Sequence, residues 1–199
     1  MFHVFPRAVS KKECENLLEY CIKNTKFREA SMMSMGKSDV DADNYGRVDP
    51  RIRKTDIAFV TPDGSTDNKV NEIAWHFLTM ANEIKFNYKF DSFHPVQFAR
   101  YRDGGHYGWH QDVNESGISS DGESRKLSLT FSLSDPKTYE GGHLEFYRGE
   151  RLMTEQENKD IRDQGSVIVF DSRDYHRVTP VTKGIRYSIV CWTVGPNFV

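Results

Sequence analysis

Two hydrophobic rhythms divide the chain near residue 85. Before it, apolar residues recur at helical spacing. Ser10-Lys11-Lys12-Glu13 has the form of a capping box, and Cys14, Leu17, Leu18, Cys21 and Ile22 follow it on one expected helix face. Val70, Ile73, Ala74, Phe77, Leu78, Ala81 and Ile84 mark a second stripe, which leaves His76 on the polar side. Phe2, Val4 and Phe5 predict a short opening strand, and TDIAFV (55–60) another. Beyond residue 85 the period falls to two. Phe86-Tyr88-Phe90 and Val96-Phe98-Arg100 alternate, and short strands are expected at 127–133, 142–148, 165–172, 176–181 and 186–192. Turn chemistry separates them: SDPKTYEGG, DQG and TKG.

Between Arg28 and Lys54 neither rhythm holds. A long aperiodic stretch in a small domain suggests a lid over a site or a surface loop, and Met32, Met33 and Met35 would give it an adaptable apolar face. Asp41 and Asp43 lack EF-hand order, so calcium is rejected. The charged stretch 149–164 reads as an exposed, partly helical excursion.

Two early helices followed by many short strands predict a mainly β protein with bracing helices, a sheet sandwich or barrel. With 199 residues, the expectation is a single domain (1–199), residues 1–85 supporting a core at 86–199. Hydrophobic content of 37% and charged content of 28% are those of an ordinary water-soluble protein. The net charge of −2 argues against a dedicated nucleic-acid binder. No apolar run approaches a membrane span, and MFHVFPRAVSKKE has no signal-peptide core. Three cysteines without a CxxC pair read as reduced thiols, so a cytoplasmic protein is expected.

The chemistry concentrates in YRDGGHYGWHQD (101–112). On an extended strand His110 and Asp112 would point to one side. His176 waits downstream, on a strand that a jelly roll can bring face to face with the first. Two imidazoles and one carboxylate leave coordination positions open and suit non-haem Fe(II) and oxygen. Ten residues after His176, Arg186 alternates with Ser188 and Trp192 on the last strand. A buried arginine there needs an anion. A dicarboxylic cosubstrate that chelates iron at one end and meets Arg186 at the other explains both features, with Ser188 and Tyr101 as further hydrogen-bond partners. Ser128, Thr130 and Ser132 place small hydroxyls along one face of a strand in the same pocket.

In combination, YRDGGHYGWHQD, LSLTFSLSDPKTYEGGHLEFY and HRVTPVTKGIRYSIVCWTVGP resemble the Fe(II)- and 2-oxoglutarate-dependent dioxygenases, and within them the prolyl 4-hydroxylase branch. The resemblance covers about Phe98 to Pro196. It implies a double-stranded β-helix, a jelly roll. It implies Fe(II) on His110, Asp112 and His176, with 2-oxoglutarate on Arg186 assisted by Tyr101, Ser188 or Thr130. Trp192 would wall the pocket, and Arg125, Tyr107, Trp109 and Arg53 would meet a proline-containing peptide or protein. The implied reaction consumes O2 and releases succinate and CO2, with ascorbate as a candidate reductant. Many relatives have lysine where Arg186 stands, and some have tyrosine at the position of Ser132. Two other readings remain open: a same-fold oxygenase for a free amino acid, another side chain or a nucleobase, and a non-enzymatic jelly-roll binding module. Oligomeric state is not readable from these patterns.

Overall fold

The structure, a computed structural model, describes residues 2–30, 49–60, 66–113, 122–147 and 155–198. Strands β1 (Phe2–Phe5), β2 (Arg28–Glu29), β3 (Arg53–Lys54) and β4 (Asp56–Val60) come from the N-terminal part. Strands β5 (Ser92–Phe93), β6 (Val96–Arg102), β7 (His106–His110), β8 (Glu123–Ser132), β9 (Tyr139–Gly141) and β10 (Leu144–Phe146) follow, then β11 (Val167–Asp171), β12 (His176–Val178) and β13 (Val181–Pro196). The helices are α1 (Lys11–Asn24), α2 (Thr66–Ala81) and α3 (Glu155–Arg162).

Among the described residues these strands form two antiparallel sheets. The major one runs β1-β11-β8-β13-β6-β4-β2, with β5 and β9 also paired to β13. The minor one runs β10-β12-β7-β3. Leu127, Leu129, Phe131, Val167, Val169 and Ile189 turn from the major sheet toward α1 and α2, which contribute Cys14, Leu17, Cys21, Ala74 and Leu78. The opposite face presents Ile57, Ala99, Ile168 and Phe170 to Leu144, Phe146 and Val178 of the minor sheet. This is the expected jelly roll with helices outside. Residues 1–85 do more than brace it, because β1 and β4 join the major sheet and β3 the minor one.

The capping expectation holds: Ser10 Oγ accepts the Glu13 N–H at 3.2 Å. Ile22 is instead 48% exposed; at about 100° per residue it lies a quarter-turn past the Cys14–Leu17–Cys21 stripe. Ile84 is also exposed, because α2 passes at Ala81 into a π turn, Asn82–Phe86, which shifts the phase. The strand expected at 86–90 is absent: the turn takes Phe86, and residues 87–90 run on as irregular backbone. Asn82 offers its side chain in place of a ladder partner, donating to Tyr88 O (3.0 Å) and accepting the Tyr88 N–H (2.8 Å). Phe86, Tyr88 and Phe90 still rest on the helix-side core. In β6, Val96–Ala99 are buried on both faces rather than alternating, since the strand is central between β13 and β4. Met32, Met33, Met35, Asp41 and Asp43 lie outside the described residues; of the aperiodic stretch expected from Arg28 to Lys54, the two ends are strands instead, β2 pairing with β4 and β3 with β7. The expected excursion contains α3, whose Ile161 is buried. Among the described residues no helix is long and apolar enough to cross a membrane.

One polar cluster pins the end of β11. Asp171 accepts the Tyr88 hydroxyl at 2.5 Å and is gripped by Arg173 through both oxygens, at 3.0 and 2.7 Å. Burial alone would raise the Asp171 pKa, but the hydrogen bonds from Arg173 and Tyr88 outweigh it and the carboxyl lies below its ordinary value. A depressed carboxyl stabilises the fold above its unfolded pKa, roughly 4, and that contribution fades as pH falls through the lower folded value. Asp171→Asn is therefore expected to be less stable than the parent at pH 7, the gap closing below about pH 4. Urea unfolding at stepped pH measures this; a gap independent of pH contradicts the assignment.

Candidate active site

His110 ends β7 and His176 opens β12, and the two strands are neighbours in the minor sheet with His176 directly opposite His110. They lie side by side, not face to face as expected. Their rings are 4.1 Å apart, centroid to centroid. Asp112 has left the strand. Its N–H donates to Ser172 O at 2.8 Å, and Oδ2 accepts Ser128 Oγ at 2.6 Å. Convergence with His110 thus comes from bonds to the major sheet, not from the period of a strand. Asp112 Oδ1 lies 3.6 Å from His110 Nε2, and Oδ2 3.6 Å from His176 Nε2. All three residues offer ligand atoms within 4.8 Å of one another.

The protonation states suit a metal. His110 Nδ1 is 2.8 Å from Gly108 O and His176 Nδ1 2.9 Å from Asp174 O. A carbonyl only accepts, so each Nδ1 carries the proton and each Nε2 turns a lone pair inward. Burial lowers the His176 pKa against the pull of Asp112, keeping the imidazole neutral. Burial alone would raise the Asp112 pKa, but His176 and His110 in their protonated forms, and Arg125, outweigh it; the carboxylate therefore loses its proton before the imidazoles lose theirs, and it is ionised where they are neutral. Two neutral imidazoles and an anion are the donor set that holds a divalent first-row metal with positions open. The residues fit Fe(II).

Arg186 is 4% exposed and, among the described residues, has no carboxylate partner. Its Nη1 donates to Ser188 Oγ at 3.3 Å, and its guanidinium lies over the Tyr101 ring at 5.3 Å. Having accepted this bond, the Ser188 hydroxyl still has a proton to give. Gly142 lets the chain pass over the arginine: a Cβ there would stand 3.0 Å from Arg186 Cδ at a φ of +59°. Thr130 is buried on the Ser128 side of β8. Trp192 is buried, and its Nε1 has no hydrogen-bond partner among the described residues.

Arg125 covers Trp192 at 4.1 Å and donates to Asp112 O (3.3 Å) and His94 Nδ1 (3.2 Å). Tyr107 stacks on His110 at 3.5 Å, and Arg53 lies over Tyr107 at 4.4 Å, its buried Nε without a partner among the described residues. Trp109 parts from this group. The β7–β12 register shifts by one residue, pairing Val178 with Tyr107 and His176 with His110. Tyr107 and His110 therefore share the inner face, while Trp109 is 42% exposed and sits beside Arg177 and Tyr147. Tyr107 and Trp109 do not line one groove. Sequence reasoning missed Ser172 and the carbonyls of Gly108 and Asp174; a backbone acceptor leaves no signal in residue type.

Residues 96–194 match the sequence profile described as the 2OG-Fe(II) oxygenase superfamily. A PKHD-type hydroxylase of Pseudoalteromonas atlantica is 38% identical over 101 residues, 50% of this chain and 42% of the relative. Another, from Nitrobacter winogradskyi, is 35% identical over 127 residues, 59% of this chain and 48% of the relative. The chain thus spans less than half the length of these curated relatives. Among solved structures, a prolyl hydroxylase from Trichoplax adhaerens, in complex with a hypoxia inducible factor oxygen degradation domain peptide fragment, superposes with a TM-score of 0.70 at 18% identity, covering 96% of this chain and 82% of that one. A Pseudomonas putida prolyl-4-hydroxylase gives 0.66 at 16% identity, covering 100% and 93%. The two structures speak for the fold alone; the matched sequence, residues 96–194, establishes that this chain belongs to the 2OG-Fe(II) oxygenase superfamily.

Proposed function

We propose that the chain hydroxylates C4 of prolyl residues in a peptide or protein, consuming 2-oxoglutarate and O2 and releasing succinate and CO2. The observation that carries this reading is a buried Arg186 that has no acidic partner among the described residues, in the same jelly roll as a metal-competent His110–Asp112–His176 cluster. The relatives named hydroxylases, and the peptide-bound prolyl hydroxylase of the same fold, support the substrate class.

In this reading His110, Asp112 and His176 hold Fe(II). With 2-oxoglutarate and O2, the bound metal supplies the oxidising power to put one oxygen atom into a C–H bond. The protein binds, orients and shields. Arg186 takes the distal carboxylate of 2-oxoglutarate, Ser188 donates beside it, and Tyr101 and Thr130 complete that end. Trp192 walls the pocket. Arg125, Tyr107 and Arg53 meet the peptide on the opposite side, and Trp109 meets it only at the outer rim. Ascorbate is the candidate external reductant. Residues 1–85 and 86–199 act as one domain.

The direct test is anaerobic addition of Fe(II) and 2-oxoglutarate, watched for the weak visible metal-to-ligand band, followed by O2 and a proline-rich peptide library analysed by mass. A band and peptides gaining one oxygen on proline are expected. A band and succinate with no oxidised peptide would move the substrate to another class. His110→Ala and Asp112→Ala are each expected to abolish the band while the fold persists by circular dichroism; a normal band in either would remove the triad. Arg186→Ala is expected to raise the 2-oxoglutarate concentration for half-maximal band by about 30-fold, the scale of losing a roughly 2 kcal/mol charge-assisted contact. An unchanged requirement would place the anchor elsewhere.

A further inference from the structure

Asp112 is built into the minor-sheet chain yet held by the major sheet, and the bonds that hold it have a forced direction. Ser128 Oγ lies 2.6 Å from Asp112 Oδ2 and 2.9 Å from Ser172 Oγ. An ionised carboxylate only accepts, so the single Ser128 proton goes to Asp112. Ser128 must then accept from Ser172, whose hydroxyl is the donor. Both serines are fully buried, at 0% exposure, so no bulk water competes for these bonds. The same Ser172 accepts the Asp112 N–H through its carbonyl at 2.8 Å, and its own N–H donates to Lys126 O at 3.1 Å. Ser128 lies on β8 opposite Phe170 of β11, and Ser172 follows the end of β11. The relay therefore runs from the residue just past β11 to a paired position of β8, both anchored to the major sheet.

We propose that Ser172 and Ser128 form a two-hydroxyl relay that positions Asp112 as a single-oxygen metal ligand. The inference rests on the metal reading above. One lone pair of Oδ2 is engaged by Ser128, which fixes the carboxylate plane and lowers the donor strength of that oxygen. Oδ1 remains as the stronger donor. Without the relay the carboxylate is free to rotate about a chain segment that has already left its strand, and chelation through both oxygens would fill one of the positions a cosubstrate needs. The Ser172 hydroxyl reaches Asp112 only through Ser128, so the two side chains are positioning groups in series.

The test is Co(II) titration of the full chain, following the visible d–d bands, alongside thermal unfolding. Ser128→Ala is expected to weaken Co(II) binding by about 10- to 100-fold, the usual range for a residue that orients a ligand, and to alter band intensity as the carboxylate changes its mode. Ser172→Ala is expected to do the same to a lesser degree. The double variant is expected to match Ser128→Ala alone, because a series relay is non-additive. Parental affinity and spectrum in folded Ser128→Ala, or full additivity in the double variant, overturns the relay. Should Ser128→Ala unfold too readily to titrate, Ser172→Ala carries the test, and a parental spectrum and affinity in it overturns the proposal. Asp112→Ala separates the two levels: if it also binds Co(II) as the parent does, the metal reading falls, and the relay with it; if it loses binding while Ser128→Ala does not, only the relay falls.

Discussion

The pairing of β7 with β12 is the constraint on which the site depends. It sets His110 opposite His176 on adjacent strands, so a backbone ladder fixes the spacing of two imidazoles. Each ring is then turned by a carbonyl two residues before it, Gly108 O for His110 and Asp174 O for His176. Orientation and tautomer thus come from the backbone next to each ligand and need no distant side chain. Only the carboxylate depends on the other sheet, through Ser128 and Ser172.

The two sheets divide the work. The minor sheet is short and carries the imidazoles, with Tyr107 and Arg53 stacked behind His110. The major sheet is long and braced by helices. Its central strand β13 runs from Val181 to Pro196 and carries Arg186, Ser188 and Trp192, while neighbouring β8 carries Arg125, Ser128 and Thr130. A guanidinium as deeply buried as Arg186 tolerates no wobble, because small displacements in low dielectric are costly. It grows from a strand that pairs with β6 over 185–190, where Arg186 stands opposite Tyr101, and with β8 from Ser188 onward.

Much of this was legible in the residues because it depends on type and spacing. The HxD pair, His176 and Arg186 are defined by side-chain chemistry, and the helix stripes and most strands by period. What was not legible depends on conformations that residue type leaves open. Phe86, Tyr88 and Phe90 alternate as a strand would, yet Asn82 closes a π turn and supplies the missing hydrogen bonds itself. Val96–Ala99 are buried on both faces because of their neighbours, which local period cannot report. Tyr107 and Trp109 look equivalent at a spacing of two, but a register shift sends them to opposite faces. Ser172 carries no distinguishing mark, since its importance lies wholly in where β11 ends.

That register shift in β7 has a consequence for how such a chain can change over time. Between Tyr107 and His110 the strand contains one residue more than β12 has opposite it. Substituting Trp109 alters only a side chain that points away from the metal. Deleting a residue there would restore ordinary alternation, and with His110 kept opposite His176 it would turn the residue now at 107 outward, stripping the stacked ring from the metal ligand. The segment is thus open to variation in letters but not in length: a change of one in its count would leave the two imidazoles paired and take away the ring that packs on one of them.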